Sequence, residues 1–409
     1  MPLFRSRTPE GDASAAPRRR LGVNWVVAAC MVGLLVYGVL FVRSAGSIRV
    51  GKPRTLWIDI LRVWIPLGMV AQVAVARLDY RKWIDAAAIP YLGTLLLLAL
   101  VFVPGVGTTN NMGAHRWILG LFQPSEFAKV AVVPALAFVL ARAPVASGRL
   151  RFWAAMAVAA VPALLILVEP DMGTALPFGV CVLAMAFVSG VARRTLLALV
   201  AAGALLAAAF FGAILVPEHL SPENKARVER VTDHVIFPHW KARVLTFVDP
   251  ERDPRGKGWN LRQSKIAVGS GGRSGKGYMQ GTQNLLGYLP WSVSSSDFIF
   301  SVIAEETGFE GSLLLLLLFA GLIGGVAWTG LSCRDQTGRL LCTGVAAILF
   351  THVFVNLGMT IGVMPITGIP LPLVSYGGTF MVATLAMLGI VQSVAIHSPR
   401  GDEIGMGVH

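Results

Sequence analysis

One carboxylate in this sequence stands where a base would be useful. Asp297 lies between the polar run ending Ser294-Ser-Ser296 and the apolar run Phe298-Ile-Phe-Ser-Val-Ile-Ala304. At that boundary an aspartate reads as a helix N-cap and equally as a base in contact with water; the two roles are compatible. Glu305 and Glu306 follow two helical turns later, and at least one must face a protein interior, because a charge facing lipid is costly. Glu126 and Lys129 are three apart, share a helical face and can pair. That pair either neutralises two charges buried between helices or also touches an anionic head group. Glu169 and Asp171 bracket Pro170; together they suit acid–base work, while Asp171 before Met-Gly-Thr174 alone reads as an N-cap.

The basic candidates lie nearby in the chain. Arg116 and Trp117 precede the Glu126–Lys129 segment. The stretch Val268-Gly-Ser-Gly-Gly-Arg-Ser-Gly-Lys-Gly277 invites a phosphate-loop reading that fails in detail. Ser270 sits where the first Walker glycine belongs, and Gly277 replaces the hydroxyl residue after Lys276. A dinucleotide fingerprint fails at Ser274. What survives is a set of glycine N–H groups flanked by Lys265, Arg273 and Lys276, suited to a phosphate or pyrophosphate. A merely flexible loop is the competing reading.

These groups must be held by apolar elements. Of the 409 residues 55% are hydrophobic and only 14% charged, against about 25% charged in soluble domains. That excludes an ordinary cytosolic enzyme, a secreted disulfide scaffold and a disordered chain. Cys30, Cys181, Cys333 and Cys342 lie in or beside apolar runs, which leaves no disulfide framework or metal cluster. Spans are expected near 23–42, 56–78, 86–103, 123–142, 152–168, 173–190, 194–216, 298–330, 338–362 and 373–396. The fold class is therefore an all-α polytopic membrane protein of ten helices. A long polar loop, 217–297, joins the seventh and eighth, and part of it around Gln263–Val268 should form a short helix along the membrane.

The net charge of +13 is placed for a membrane and not for nucleic acid. Arg77, Arg81 and Lys82, then Arg142, Arg149 and Arg151, then Arg193 and Arg194, then Arg334 and Arg339 fall in loops on one side. The positive-inside rule makes that side cytoplasmic and puts both termini there. Only Arg43, Arg49, Lys52 and Arg54 depart from the pattern. Residues 1–22 read as a disordered tail and 397–409 as a second cytoplasmic tail. On this topology the Gly113–Lys129, Glu169–Gly173, Ser296–Phe298 and Met364–Gly378 segments meet at the outer face. Irregular backbone at that depth implies a cavity.

Six segments in order give the chain a recognisable signature. They are Gly113-Ala-His-Arg-Trp-Ile118, Gln123-Pro-Ser-Glu-Phe-Ala-Lys129, Pro170-Asp-Met-Gly-Thr174, Gln263-Ser-Lys-Ile-Ala-Val-Gly-Ser-Gly-Gly272, Asp297-Phe-Ile-Phe300 and Pro370-Leu-Pro-Leu-Val-Ser-Tyr-Gly-Gly378. In these the chain resembles the shape, elongation, division and sporulation family from the first span to about residue 396. The Gln263–Gln283 segment looks more like the elongation branch than the division branch. Ser296 stands where relatives commonly have Thr, and Met112 where many have Lys.

The resemblance implies a ten-span peptidoglycan glycosyltransferase that polymerises lipid II at the outer face of the bacterial plasma membrane. It implies that Asp297 is the essential acid and that Glu126, Lys129, Arg116 and Trp117 match further functional positions. A class B penicillin-binding protein is the implied partner. The chemistry is coherent: a pyrophosphate leaving group needs charge neutralisation, from basic loop residues or from a divalent cation, the one candidate cofactor. The acceptor hydroxyl needs a base, and direct displacement inverts the anomeric centre. The rival classes are a lipid flippase or solute carrier, which wants polar groups at the midplane and access from both sides, and a non-catalytic scaffold.

Overall fold

A computed structural model describes residues 22–47, 56–109, 115–118, 120, 122–142, 148–169, 171–254 and 256–398. The tail 1–21, the basic positions Arg49, Lys52 and Arg54, Met112, and the tail from 399 lie outside the described residues.

Eight helices are long and apolar enough to cross a membrane. They are α1 (Trp25–Gly46), α2 (Trp57–Arg77), α4 (Pro124–Ala141), α5 (Gly148–Val168), α7 (Arg193–Leu215), α11 (Ile299–Ser332), α12 (Gln336–Thr360) and α13 (Gly378–His397). The third and sixth expected spans appear as shorter apolar helices, α3 (Ala88–Leu100) and α6 (Met172–Val188). At 1.5 Å per residue these reach only about 20 and 26 Å, short of a hydrocarbon core of about 30 Å. In α3 the apolar run outlasts the helix, because Val101–Val106 turns through Pro104 and Gly105.

The bundle is graded from a buried axis to a lipid-facing rim. In α13 94% of the apolar window is buried, whereas in α7 only 6% is. The residues of α7 exposed from Val200 to Ala209 are all Ala, Gly, Leu or Val, a surface for hydrocarbon and not for water. α13 packs along α2, α11 along α1 and α12, and α12 along α6. Asn24 caps α1 by accepting from the Val27 N–H, and Asp171 caps α6 by accepting from Thr174 N–H at 3.2 Å. Pro134, Pro162 and Pro177 sit inside α4, α5 and α6, where neighbouring helices compensate for the missing hydrogen bonds.

The polar stretch 217–297 is folded. It holds α8 (Pro222–Val235), α9 (Pro238–Val248) and α10 (Lys257–Ser270). α10 covers the expected Gln263–Val268 helix and packs on α11 through Leu261, Ser264 and Ala267. Between α3 and α4 a small hairpin pairs β1 (Gly107–Thr109) with β2 (His115–Ile118), setting Trp117 opposite Thr108.

The expected eighth span is not one continuous helix. α11 breaks at Gly308, whose φ is +64°. The nine residues before the break, Ile299–Thr307, are almost wholly buried in protein. Only the stretch after it faces outward along much of its length, with Phe309, Leu313, Leu314 and Leu317 exposed. The break is where the glycine-rich segment docks: Phe309 N–H donates to Gly272 O, and Lys276 and Gly277 N–H donate to Glu305 and Glu306 O. A Cβ on Gly275 would lie 2.1 Å from Glu306 O, and one on Gly308 2.4 Å from Gly275 N. The glycines let two backbones touch.

Candidate functional site

The four segments expected to converge do so. A cavity of about 520 Å³ opens at one end of the bundle, walled by Arg116 and Trp117 from β2, Gln123 and Glu126 from the start of α4, and Asp171 and Thr174 from the start of α6. Ser292, Ser296 and Asp297 close one side, and Gly368, Pro370 and Tyr376–Phe380 the other, with Trp64 of α2 beside them.

Asp297 is half-buried in this wall. It is not the N-cap expected from sequence: the cap position of α11 is Phe298, and no side chain caps there. The Asp297 carboxyl is left for other work. Burial, opposed by a hydrogen bond from Ser296, raises its pKa to about 6; Asp171 adds to the push, and Arg243 and Arg116 work against it. A carboxylate so tuned is ionised at neutral pH yet basic enough to take a proton.

Two of the cations around it escaped sequence reasoning. Arg243 on α9 donates from Nη1 to Thr367 O at 3.1 Å, and its buried Nε has no partner among the described residues. Lys257 opens α10; burial and the charges of Arg243 and Arg116 push it down to about 8, against the pull of Asp253 and Asp297. The third cation, Arg116, pairs with Asp171 at 3.3 Å and donates from Nε to Glu169 O at 3.3 Å. Neither Arg243 nor Lys257 stands in a spacing pattern, so the only signal was a basic, aromatic-rich stretch preceding Asp297. Glu169, buried beside Asp171, is raised to about 8 and holds a proton at neutral pH.

Glu126 and Lys129 form a buried pair, Oε2 to Nζ at 2.7 Å, with side chains 4% and 1% exposed. Lys129 also reaches His352 Nε2 at 3.1 Å and lies over the Phe380 ring. Only Glu126 of the pair lines the cavity.

Lys265, Arg273 and Lys276 are not brought to this cavity. Arg273 is exposed and pairs with Glu310 at 2.9 Å, and Lys276 pairs with the buried Glu305 at 2.6 Å. Lys265 points from α10 towards Gly362. Glu305 and Glu306 are both buried; Glu306 accepts from Ser44 Oγ and Met279 N–H, and Glu305 from Gln283 N–H. These carboxylates fasten the glycine-rich segment to the break in α11.

Among the described residues no cluster of three or more His, Cys, Asp or Glu side chains is arranged to hold a metal ion. Three carboxylates, Glu126, Asp171 and Asp297, line the cavity, and the first two are already paired, with Lys129 and Arg116. That donor set does not fit a dedicated cation site, and the chemistry below uses the basic side chains.

The cavity can hold a polar, anionic substrate with its reacting atom beside one carboxylate. The chain is 35% identical over 370 residues to the peptidoglycan glycosyltransferase MrdB of Escherichia coli (strain K12), covering 90% of this chain and 92% of that protein. It is similar, with a TM-score of 0.70 and 31% identity, to a chain solved in a peptidoglycan synthase complex that coordinates polymerization and crosslinking; 91% of this chain and 97% of that one are covered. The crystal structure of the Thermus thermophilus rod shape determining protein RodA gives a TM-score of 0.63 and 30% identity over 91% of this chain and 96% of that one. The profile of the Cell cycle protein family, which groups FtsW, RodA and SpoVE, matches residues 24–400. With that match over nearly its whole length, this multi-pass membrane chain belongs to the FtsW/RodA/SpoVE family.

Proposed function

We infer that this chain is a peptidoglycan glycosyltransferase, and we propose that it polymerises lipid II into glycan strands at the outer face of the bacterial plasma membrane. The observation that carries the mechanism is Asp297 in the cavity wall, with Arg243 and Arg116 favouring its ionised form and Lys257 held charged in part by it.

Asp297 accepts the proton of the sugar hydroxyl that attacks. The new bond forms from that oxygen to the anomeric carbon of the lipid-linked sugar. The bond from that carbon to the pyrophosphate oxygen breaks on the opposite face, so an α-linked sugar phosphate becomes a β-linked glycan. The leaving pyrophosphate needs positive charge more than a proton. Arg243, with one buried N–H unused, Arg116 and Lys257 are the groups placed to supply it, in preference to Lys265, Arg273 and Lys276, whose surroundings are the α11 break and α10. Trp117 supplies an apolar wall, and the Glu126–Lys129 pair fixes the start of α4 beneath it.

The same reading includes ten spans, with α3 and α6 completing the set, cytoplasmic termini and a cavity facing outward. Basic residues gathered at the opposite end of the bundle, Arg149, Arg151, Arg193 and Arg194 among them, support that orientation. A class B penicillin-binding protein is the proposed partner, in keeping with the synthase complex above, and elongation the proposed process. Polar groups collected at one end of the bundle favour an enzyme over a flippase. Purified protein incubated with lipid II should yield glycan polymer; absence of polymer with and without the partner would overturn the assignment.

A further inference from the structure

We propose that Asn356 is a positioning residue that holds the main chain of Asp297 against the loop forming the opposite wall of the cavity. The inference rests on the glycosyl-transfer reading and adds to it a part that touches no substrate. Asn356 lies on α12, wholly buried and behind the cavity wall. Its Nδ2 donates to Asp297 O at 2.8 Å and to Ile369 O at 2.7 Å. Both neighbours are carbonyl oxygens, which only accept, so the amide must present its NH₂ to them. Its own Oδ1 is left buried with no partner among the described residues. One side chain thus ties two loops to a helix and forgoes its own acceptor bond.

The ties around it show what Asn356 alone contributes. Ser375 Oγ donates to Ser296 O at 2.6 Å and accepts from Leu371 N–H at 2.7 Å, and Tyr376 N–H donates to Ser295 O at 2.8 Å. The Leu371 bond braces the far loop, the other two join loop to loop, and both loops still have to be referred to the bundle. His352, one turn before Asn356, does this for the far loop. Lys129 is an ammonium donor, so His352 Nε2 accepts from it at 3.1 Å, and the ring proton sits on Nδ1, facing Pro370 O at 3.3 Å. Successive carbonyls, Ile369 and Pro370, are therefore held by residues four apart on one helix face. Among these ties only that from Asn356 runs from α12 to the Asp297 backbone. The Asp297 carboxyl also lies close to Gly368, where a Cβ would meet Oδ2 at 3.3 Å, so any shift between the loops moves the carboxylate against its wall.

The test uses the full chain in lipid nanodiscs with lipid II, comparing wild type, Asn356→Leu and the milder Asn356→Ser, which keeps one donor. Misplacing a reacting group by about 1 Å costs on the order of 100-fold. The expected result is a kcat lower by about 100-fold in Asn356→Leu and about tenfold in Asn356→Ser, with KM within about threefold, since no binding cation is touched. Hydrogen exchange of the Ser295–Phe298 amides should rise about tenfold in the same variants, whatever their activity. Unchanged exchange there, or a folded variant with kcat within twofold of wild type, would overturn the clamp. Wild type that makes no polymer while the exchange still rises would instead remove the glycosyltransferase reading and leave the clamp standing.

Discussion

Two basic regions lie between α7 and α12, and their arginines and lysines do different things. At the glycine-rich segment two of the three candidate cations have carboxylate neighbours: Lys276 meets the buried Glu305, Arg273 meets Glu310, and the backbone between them closes on the break at Gly308. Near Asp297, Arg243 and Arg116 work against the rise in its proton affinity, and Asp297 in turn favours the charged form of Lys257. The first region uses charge to shut a joint between α10 and α11. The second gathers charge around Asp297, with Arg116 lining the cavity of about 520 Å³. A basic residue beside glycines is therefore no guide to an anion site until its carboxylate partners are known.

The comparison breaks most visibly at Asp297. Asp297→Asn keeps the volume and removes the base, so polymerisation should fall by about 1,000-fold, within the range for general-base removal, while thermal unfolding stays unchanged. Next in size is the buried pair beneath the cavity. Lys129→Ala strands Glu126 and should cost about 3–5 kcal/mol, read as a lower unfolding temperature in detergent. The double variant Glu126→Ala with Lys129→Ala should recover part of it, and a double variant no better than the single would show that the two are not coupled.

Smaller effects sharpen the contrast. Arg243→Gln should lower kcat/KM by about ten- to hundredfold, the worth of one charge-assisted hydrogen bond. Lys257 should lose its charge as pH rises through about 8, so kcat/KM should decline on that basic limb, and Lys257→Met should flatten it at a lower plateau. A limb that persists in Lys257→Met belongs to another group. Smallest of all, Arg273→Gln removes an exposed ion pair worth less than about 1 kcal/mol and should leave kinetics within twofold across lipid II concentrations.

Much of the scaffold was legible because apolar runs of span length have one solution in a bilayer. The expected 338–362 and 23–42 spans correspond to Gln336–Thr360 and Trp25–Gly46. The convergence of four polar segments was legible too, since antiparallel helices return alternate loops to one end. The break in α11 was legible in part: Glu305-Glu-Thr-Gly308 interrupts the apolar run, and 33 residues, 298–330, would span about 50 Å as one helix, well beyond a bilayer core. The cations near Asp297 were hidden: Arg243 and Lys257 come together through the tertiary path of α9 and α10, and no spacing in the sequence encodes it. Asp59 and Arg62 show the converse: three apart, they would share a face of a regular helix, but a π-turn over Ile60–Trp64 changes the residues per turn, and both residues are exposed.

The pH dependence of kcat/KM reports the free enzyme's base most directly. Because burial raises the Asp297 pKa to about 6, activity should fall as pH drops through that value. Arg243 lowers this pKa, so in Arg243→Gln the acid limb should move upward, while in Arg273→Gln it should stay in place. An acid limb near 4, the ordinary aspartate value, or one that moves with Arg273 and not with Arg243, would contradict the assignment of Asp297 and its cavity cations.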